Sequence, residues 1–414
     1  MRILIAGANY VALHGQAMFT VNLAEGLAAR GHTVTAVFAS EERRPYSRMR
    51  NGVHLEALRS IDLTFMQPFV YIPVFSNRRL GSILDAAQPD IVHIQDHYPL
   101  SHAIVRQARR RDIKVIGSNH FMPENLAPYV PILSRIKPVF NWLLWKWMRL
   151  TYDQLEVVGA QSQAGTDVLK ARGLRPPVVR ISCGIDLGRF HPDPAVDRRV
   201  CRQRYGLDPD CTIFLFVGRV DGEKRVDVLL RAMALLQRDD IQLVIAGHGS
   251  ASRGYQALAE SLHLGSRVRF TGFVPNEDLP KLLNSVDVFT MPSEAELLSI
   301  ASLEAMASGL PLLLADAVAL PELVTPGENG YLFKAGDAAD AARYMDLLAG
   351  DAAARAAMGL CGIERARQHS LEQTIEHYAT LYVQVLESAP VLQPEPYPAR
   401  KNRGSEMAHR GGPL

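Results

Sequence analysis

Two carboxylates, Glu296 and Glu304, stand with seven residues between them in the stretch Pro292 to Pro311. The apolar run Val286–Thr290 before them reads as a strand, and Met291-Pro292-Ser293 closes it. Ile300 to Ala307 then reads as a helix, stopped by Ser308-Gly309 and Pro311. In such β-loop-α-β units, ligands sit where the carboxyl end of the strand meets the helix N-terminus. Glu296 falls in that loop. Glu304 lies about two turns into the helix and can share a face with it. The E-x7-E spacing alone equally describes a solvated loop acid and a surface helix acid. Its position after a buried strand favours a site.

Further loops follow the same rule. A predicted strand, Ile213–Val217, runs into Gly218-Arg219-Val220-Asp221-Gly222-Glu223-Lys224-Arg225 and then a helix. Arg219 and Lys224 thus stand beside the free N–H groups of a helix start, an arrangement suited to a diphosphate. After the next strand, Gly247-His248-Gly249 lets the backbone approach a ligand closely. Near the N-terminus, Gly7 to Gly15 occupies the loop after the first strand, where Gly15 can offer an N–H to phosphate. That loop is not G-x-G-x-x-G, which argues against a dinucleotide cofactor. His120 follows the strand Ile113–Ser118, on the side where an acceptor would lie. His93 and His97 bracket Asp96 without metal-ligand spacing, and Asp208-Pro209-Asp210 precedes a strand instead of following one. No metal site is expected.

The elements that position these loops alternate. Predicted strands at Ile3–Ala6, Thr33–Phe38, Asp90–Ile94, Ile113–Ser118, Leu155–Ala160 and Val178–Ile181 are separated by helices at Gln16–Arg30, Ser101–Arg111 and Gln163–Ala171. The second half repeats the scheme, with strands at Ile213–Val217, Gln242–Ala246, Val268–Thr271, Val286–Thr290 and Leu312–Leu314. This is an α/β chain of two doubly wound parallel sheets. The domains are expected at 1–185 and 186–370, with the Gly- and Pro-rich stretch Ser182–Pro194 as the joint. A terminal helix at 371–388 is placed to cross back to the first domain, and 389–414 is a Pro-rich polar tail with nothing to bury.

A chain of 414 residues is too long for one core, and 48% apolar with 21% charged residues fits a globular enzyme. Four scattered cysteines indicate neither zinc nor a disulfide framework and fit a reducing compartment. The N-terminus enters a strand at once, so no signal peptide is expected, and no apolar run is long enough to span a bilayer. The net charge of +2 hides a basic residue 1–185 half and an acidic remainder. Helix Ser134–Leu150 carries bases and no acid. Its stripe Ile136, Phe140, Leu143, Trp147 and Leu150 reads as the core face. Arg135, Trp142, Trp145, Lys146 and Arg149 gather on another face, suited to anionic lipid headgroups. No nucleic-acid motif accompanies the bases.

Taken together, the loop ending at Gly15, Leu23 to Val34, Gly218-Arg219 with Lys224, Gly247-His248-Gly249, Phe270 to Val274 and the Glu296/Glu304 pair resemble the retaining GT-B glycosyltransferases of family GT4. The resemblance spans about residues 1–385. It implies two Rossmann-like domains facing across a cleft and a nucleotide-sugar donor, with no metal or cofactor. By that likeness Arg219 and Lys224 hold the donor diphosphate beside Gly218, Glu296 contacts the transferred sugar, and Glu304 the ribose. Main chain near Val274 reads the base, N–H groups at Ser299 and Ile300 touch phosphate, and His120 meets sugar or acceptor. The chain departs from the usual Glu-Gly-Phe-Gly with Glu296-Leu297-Leu298-Ser299. Its segment His120 to Glu124 is similar to the acceptor loop of diacylglycerol glucosyltransferases. The expected function is hexose transfer, from UDP-glucose, to a lipid such as diacylglycerol by a cytoplasmic protein peripheral to the inner face of the membrane. Alternatives are a GT4 mannosyl- or galactosyltransferase acting on a soluble sugar or glycan, a nucleotide-sugar epimerase or phosphorylase, and a non-catalytic sugar-nucleotide binder.

Overall fold

The computed structural model describes residues 1–8, 10, 15–63, 71–120 and 137–391. Strands of the first half are β1 (Arg2–Ala6), β2 (Thr33–Ala39), β3 (Tyr46–Arg50), β4 (Val53–Leu58), the hairpin pair β5 (Ser60–Asp62) and β6 (Tyr71–Pro73), β7 (Ile91–Ile94), β8 (Lys114–Asn119), β9 (Val157–Ala160) and β10 (Val178–Arg180). Its helices are α1 (Gly15–Ala29), α2 (Asn77–Ala87), α3 (Pro99–Arg109), α4 (Lys137–Tyr152) and α5 (Gln163–Ala171). Eight strands form one sheet in the order β10-β9-β8-β7-β1-β2-β4-β3, parallel except for the edge strand β3.

The second half contains α6 (Arg198–Tyr205), β11 (Thr212–Val217), α7 (Val226–Leu235), β12 (Ile241–Ala246), α8 (Ser252–Ser261), β13 (Val268–Gly272), α9 (Leu279–Leu283), β14 (Val288–Met291), α10 (Ile300–Ala307), β15 (Leu312–Asp316), β16 (Gly330–Lys334), α11 (Ala338–Gly350), α12 (Ala352–Arg367) and α13 (Leu371–Leu386). Its six strands are all parallel, in the order β13-β12-β11-β14-β15-β16. The central strands are buried along almost their whole length, as parallel strands covered on both faces require. This is the GT-B arrangement of two Rossmann-like parallel sheets that the sequence predicts.

Helix α13 returns to the first sheet. Tyr382 and Tyr378 lie buried under it, with the Tyr382 hydroxyl 2.8 Å from His93 Nδ1 and the Tyr378 hydroxyl 2.7 Å from Ser118 Oγ. The other His93 nitrogen lies 2.8 Å from Ser118 Oγ. Burial pushes His93 down to about 3, so the imidazole is neutral and part of a satisfied core network. Gly159 leaves the space that the Tyr378 hydroxyl fills.

The chain therefore crosses between the halves twice, and the two crossings pair. The Ile185 N–H donates to His369 O at 2.7 Å, and Leu371 N–H to Ile185 O at 2.8 Å. Ser182 Oγ lies 2.9 Å from His369 Nδ1, and the Thr374 hydroxyl donates to Ser182 O.

Helix α4 corrects one expectation. Its core face is Trp145, Met148, Thr151 and Tyr152, not the predicted stripe. Trp145, placed by sequence on the membrane face, is only 4% exposed, with the Arg172 guanidinium stacked on its outer ring face at 4.8 Å. Conversely Leu143 and Leu150 of the predicted core stripe face outward, beside Val139 and Trp142 (59% exposed), while Trp147, 37% exposed, donates its indole N–H to His97 O at 3.0 Å and packs on the His102 ring. Residues on one helix face recur at three- and four-residue spacings, and this helix is apolar nearly all round, so two stripes compete. Arg135 and Ile136 lie outside the described residues, as do 121–136 and the tail from residue 392.

Candidate functional site

The carboxyl ends of both sheets carry the singled-out loops. Helices α1 and α10 start opposite one another, since a Cβ added to Gly15 would lie 3.2 Å from Ile300 Cδ1. Ser299 caps α10, its hydroxyl accepting from Ser302 N–H at 3.2 Å, so the site offers main-chain N–H groups at 299 and 300 and not the Ser299 side chain. Two helix N-termini from different halves thus converge on one place, which favours an anion.

Beside them lies a cluster of opposed charges. Lys224 ends a short 3-10 turn after β11 and pairs with Glu296 Oε1. Arg219 pairs with Asp221 at 2.8 Å and with Glu223 at 3.0 Å. Asp221 also accepts from the Ser250 N–H and hydroxyl, each at 2.8 Å. Glu223 is pushed up by burial, against the pull of Lys224 and Arg219. Arg225 follows with a left-handed backbone (φ 51°) and pairs with Glu294, tying the turn to the loop that carries Glu296. A bulky residue in that backbone region is held there by its surroundings.

The glycines of this region serve loop packing. Gly247 has φ 143°, and a Cβ there would overlap the carbonyl of Gly218; a Cβ on Gly249 would meet Val220 and Asp221. Their bareness lets the 247–250 loop rest on the 218–221 loop, which sets the Arg219 and Lys224 positions. At these two glycines the close approach seen is one of loop to loop, and it leaves the expectation of a ligand on their main chain as it stood. Leu297, in place of the usual glycine, is buried and reaches to within 3.6 Å of the Cβ position of Gly165 in α5. Its bulk fills the junction between the halves. Val274 is half-buried past the end of β13, beside the exposed Phe273.

Glu304 sits on α10 with its carboxyl pushed up to about 7 by burial, opposed only by Arg189. Because the folded value exceeds the unfolded one, the folded state holds the proton longer. The contribution is complete below the unfolded carboxylate range and is lost as pH rises through about 7. Glu304→Gln is therefore expected to gain stability relative to wild type as pH rises from 5 to 7.5, and thermal unfolding across that range measures it. A pH-independent difference would mean that the carboxyl is already ionised.

His120 stands just past β8, its ring 4.7 Å from that of Phe19. Gln161 donates an amide N–H to its Nδ1, and its Nε2 donates to Gln95 Oε1 at 3.1 Å. The imidazole is thereby fixed as the Nε2–H tautomer. Sequence reasoning missed both glutamines; the available signal was their position directly after β7 and β9. It also missed Asp96, whose buried carboxylate accepts from the Ala8 N–H (2.6 Å), Tyr98 N–H (3.0 Å) and the Ser101 hydroxyl (2.6 Å), anchoring the start of the β1 loop. Glu322 is a third omission. Its carboxylate accepts from the Gln163 and Ala164 N–H groups at 2.9 and 2.7 Å, so an acid of the second half caps α5 of the first.

Residues 13–189 match the family described as Glycosyltransferase Family 4, and residues 197–365 match Glycosyl transferases group 1. The chain is 30% identical over 319 residues to the protein named as glycosyltransferase EpsD of Bacillus subtilis, across 74% of this chain and 79% of that one. It is 27% identical over 392 residues to a D-inositol 3-phosphate glycosyltransferase of Thermomonospora curvata, across 89% and 90%. The fold resembles that of Anabaena HepE, solved in complex with UDP-glucose, with a TM-score of 0.73 at 18% identity, across 93% and 99%. Family matches over both halves and a likeness to EpsD over about three quarters of each chain meet on one conclusion: this chain belongs to the group 1 glycosyltransferases of family 4, and is a glycosyltransferase.

Proposed function

We propose that the protein transfers glucose from UDP-glucose, with retention, to a lipid acceptor such as diacylglycerol at an anionic membrane surface. The observation that carries the donor half is the meeting of the α1 and α10 N-termini beside Lys224 and Glu296. In this reading the diphosphate takes the place of the Glu296 carboxylate at Lys224, and Glu296 is released to the sugar. Arg219, Lys224 and the N–H groups of Gly15, Ser299 and Ile300 stabilise the departing charge. The bond from the anomeric carbon to the diphosphate oxygen breaks as the acceptor oxygen bonds to that carbon from the same face. The acceptor proton passes to a diphosphate oxygen, so no enzymic nucleophile and no metal ion enter the step. Glu304 accepts from the ribose, the main chain at Val274 meets the base, and His120, held by its two glutamines, donates to a sugar or acceptor hydroxyl. UDP-glucose as donor draws support from the HepE complex.

The acceptor half rests on α4. Val139, Trp142, Leu143 and Leu150 form an outward apolar face, with Lys146 lying 5.1 Å from the Trp142 ring. Trp at such a face with bases alongside suits the headgroup region of anionic lipid. Among the described residues no helix is long and apolar enough to cross a membrane. The likeness to D-inositol 3-phosphate glycosyltransferases favours a second reading, transfer to a soluble sugar. Two measurements separate these. A thermal-shift screen of nucleotide sugars is expected to select UDP-glucose. Flotation with anionic vesicles is expected to carry the wild type upward and to lose most of the Trp142→Ala/Leu143→Ala protein, whose changes lie on the exposed face. Selection of another donor refutes the donor assignment, and wild type that stays unbound refutes the lipid assignment.

A further inference from the structure

At the amino ends of β11 and β14, the end of the second sheet remote from the transfer loops, the surface holds a cavity of about 350 Å³. Four guanidinium groups line it, from Arg198, Arg199, Arg202 and Arg355, against two carboxylates, Asp210 and Asp287. Asp287 is fully used: one oxygen accepts from Arg198 at 2.6 Å, the other from Arg202 at 2.7 Å and from the Ile213 N–H at 2.8 Å. Arg202 is buried and spends its remaining donors on main-chain carbonyls at Ser285, Pro209 and Cys211. It is a fixed part of the wall. Arg355 turns one nitrogen to the carbonyls that end α11 and keeps the others for the cavity. Arg199 is exposed and makes no hydrogen bond or ion pair among the described residues. Four cations against two anions leave a formal surplus of two positive charges at one mouth.

The local sequence points the same way. Arg198 and Arg199 open α6, where the helix dipole disfavours cations, and the first turn carries no acid. The Asp197 carboxylate already caps that turn through Val200 N–H at 3.0 Å, so a ligand would meet the guanidinium groups and not the helix end. Asp287 answers Arg198, but Arg199 has no ion pair among the described residues, and such a breach of local preference marks a place kept for something else. Guanidinium forks suit phosphate oxygens, and the surplus matches a phosphate dianion in charge. The volume falls within the range of small-molecule sites.

We propose that this cavity binds a phosphate dianion, free or as the monoester of a small polar molecule, at a site separate from sugar transfer. Thermal unfolding of the full chain tests it, with inorganic phosphate and a hexose monophosphate titrated at constant ionic strength. Wild type is run beside Arg199→Glu and Lys224→Ala. Because Arg199 makes no hydrogen bond or ion pair among the described residues, and an acid suits the first turn of a helix, its variant is expected to unfold at or slightly above the wild-type temperature without ligand. The expected result is a saturable rise in Tm for wild type and Lys224→Ala, with the half-saturating concentration at least about tenfold higher in Arg199→Glu. A stronger response to the hexose monophosphate assigns the ester; an equal or weaker one assigns the free ion. An identical response in wild type and Arg199→Glu, no saturable response in wild type, or a response lost in Lys224→Ala overturns the proposal. None of these readings depends on the identity of the sugar donor.

Discussion

Lys224→Ala is expected to lower sugar transfer about 10²–10³-fold in kcat/KM, the loss typical of removing one preorganised charge from a developing anion. This corresponds to roughly 3–4 kcal/mol of transition-state stabilisation. The structure makes the experiment double-edged, because Lys224 also neutralises Glu296 before any donor arrives. Without the lysine, the carboxylate remains beside Asp221 and Glu223 and repels a diphosphate. Lys224→Ala/Glu296→Gln separates the two effects. If repulsion dominates, the double variant recovers donor affinity while transfer stays low. A decline smaller than about tenfold in the single variant would remove the diphosphate from Lys224 altogether.

The second large effect concerns the folding of α4. Trp145→Ala is expected to lose about 3–5 kcal/mol of stability, as for other large aromatic truncations in a packed core. Trp142→Ala, three residues earlier and on the outward face, is expected to stay within about 0.5 kcal/mol of wild type. Urea unfolding midpoints of the two variants decide it. Equal midpoints would show that the helix is rotated relative to the first sheet, with the outward apolar face buried instead.

That pair also shows where sequence reading succeeds and where it stops. The central parallel strands were legible because both faces are buried, so each appears as a short apolar run ended by a loop, whereas the partly covered parallel strands β4 and β16 escaped. Edge strand β3 was not, since four of its five residues are exposed and carry no hydrophobic pattern. A signal lay next to it: Asn51-Gly52, both with positive φ, joins β3 to β4 as a tight hairpin. In α4 the difficulty was the opposite, an excess of apolar residues, and only packing selects Trp145 over Leu143. The loop residues Arg219, Lys224 and Glu296 were legible because strand ends locate ligand sites. The pairing of Lys224 with Glu296 was not, because it joins positions more than seventy residues apart in sequence. Gln95, Asp96, Gln161 and Glu322 escaped for a similar reason. Each acts on a residue brought near only by the fold.

The paired crossings at Ser182–Ile185 and His369–Leu371 have a mechanical consequence. Two chain segments linked side by side by main-chain bonds behave as a pin: they resist sliding and shear, yet leave rotation about their own length inexpensive. Rotation about that line is therefore the expected low-cost motion of the halves, and the Glu322 contact to the start of α5 is one that such a rotation would break.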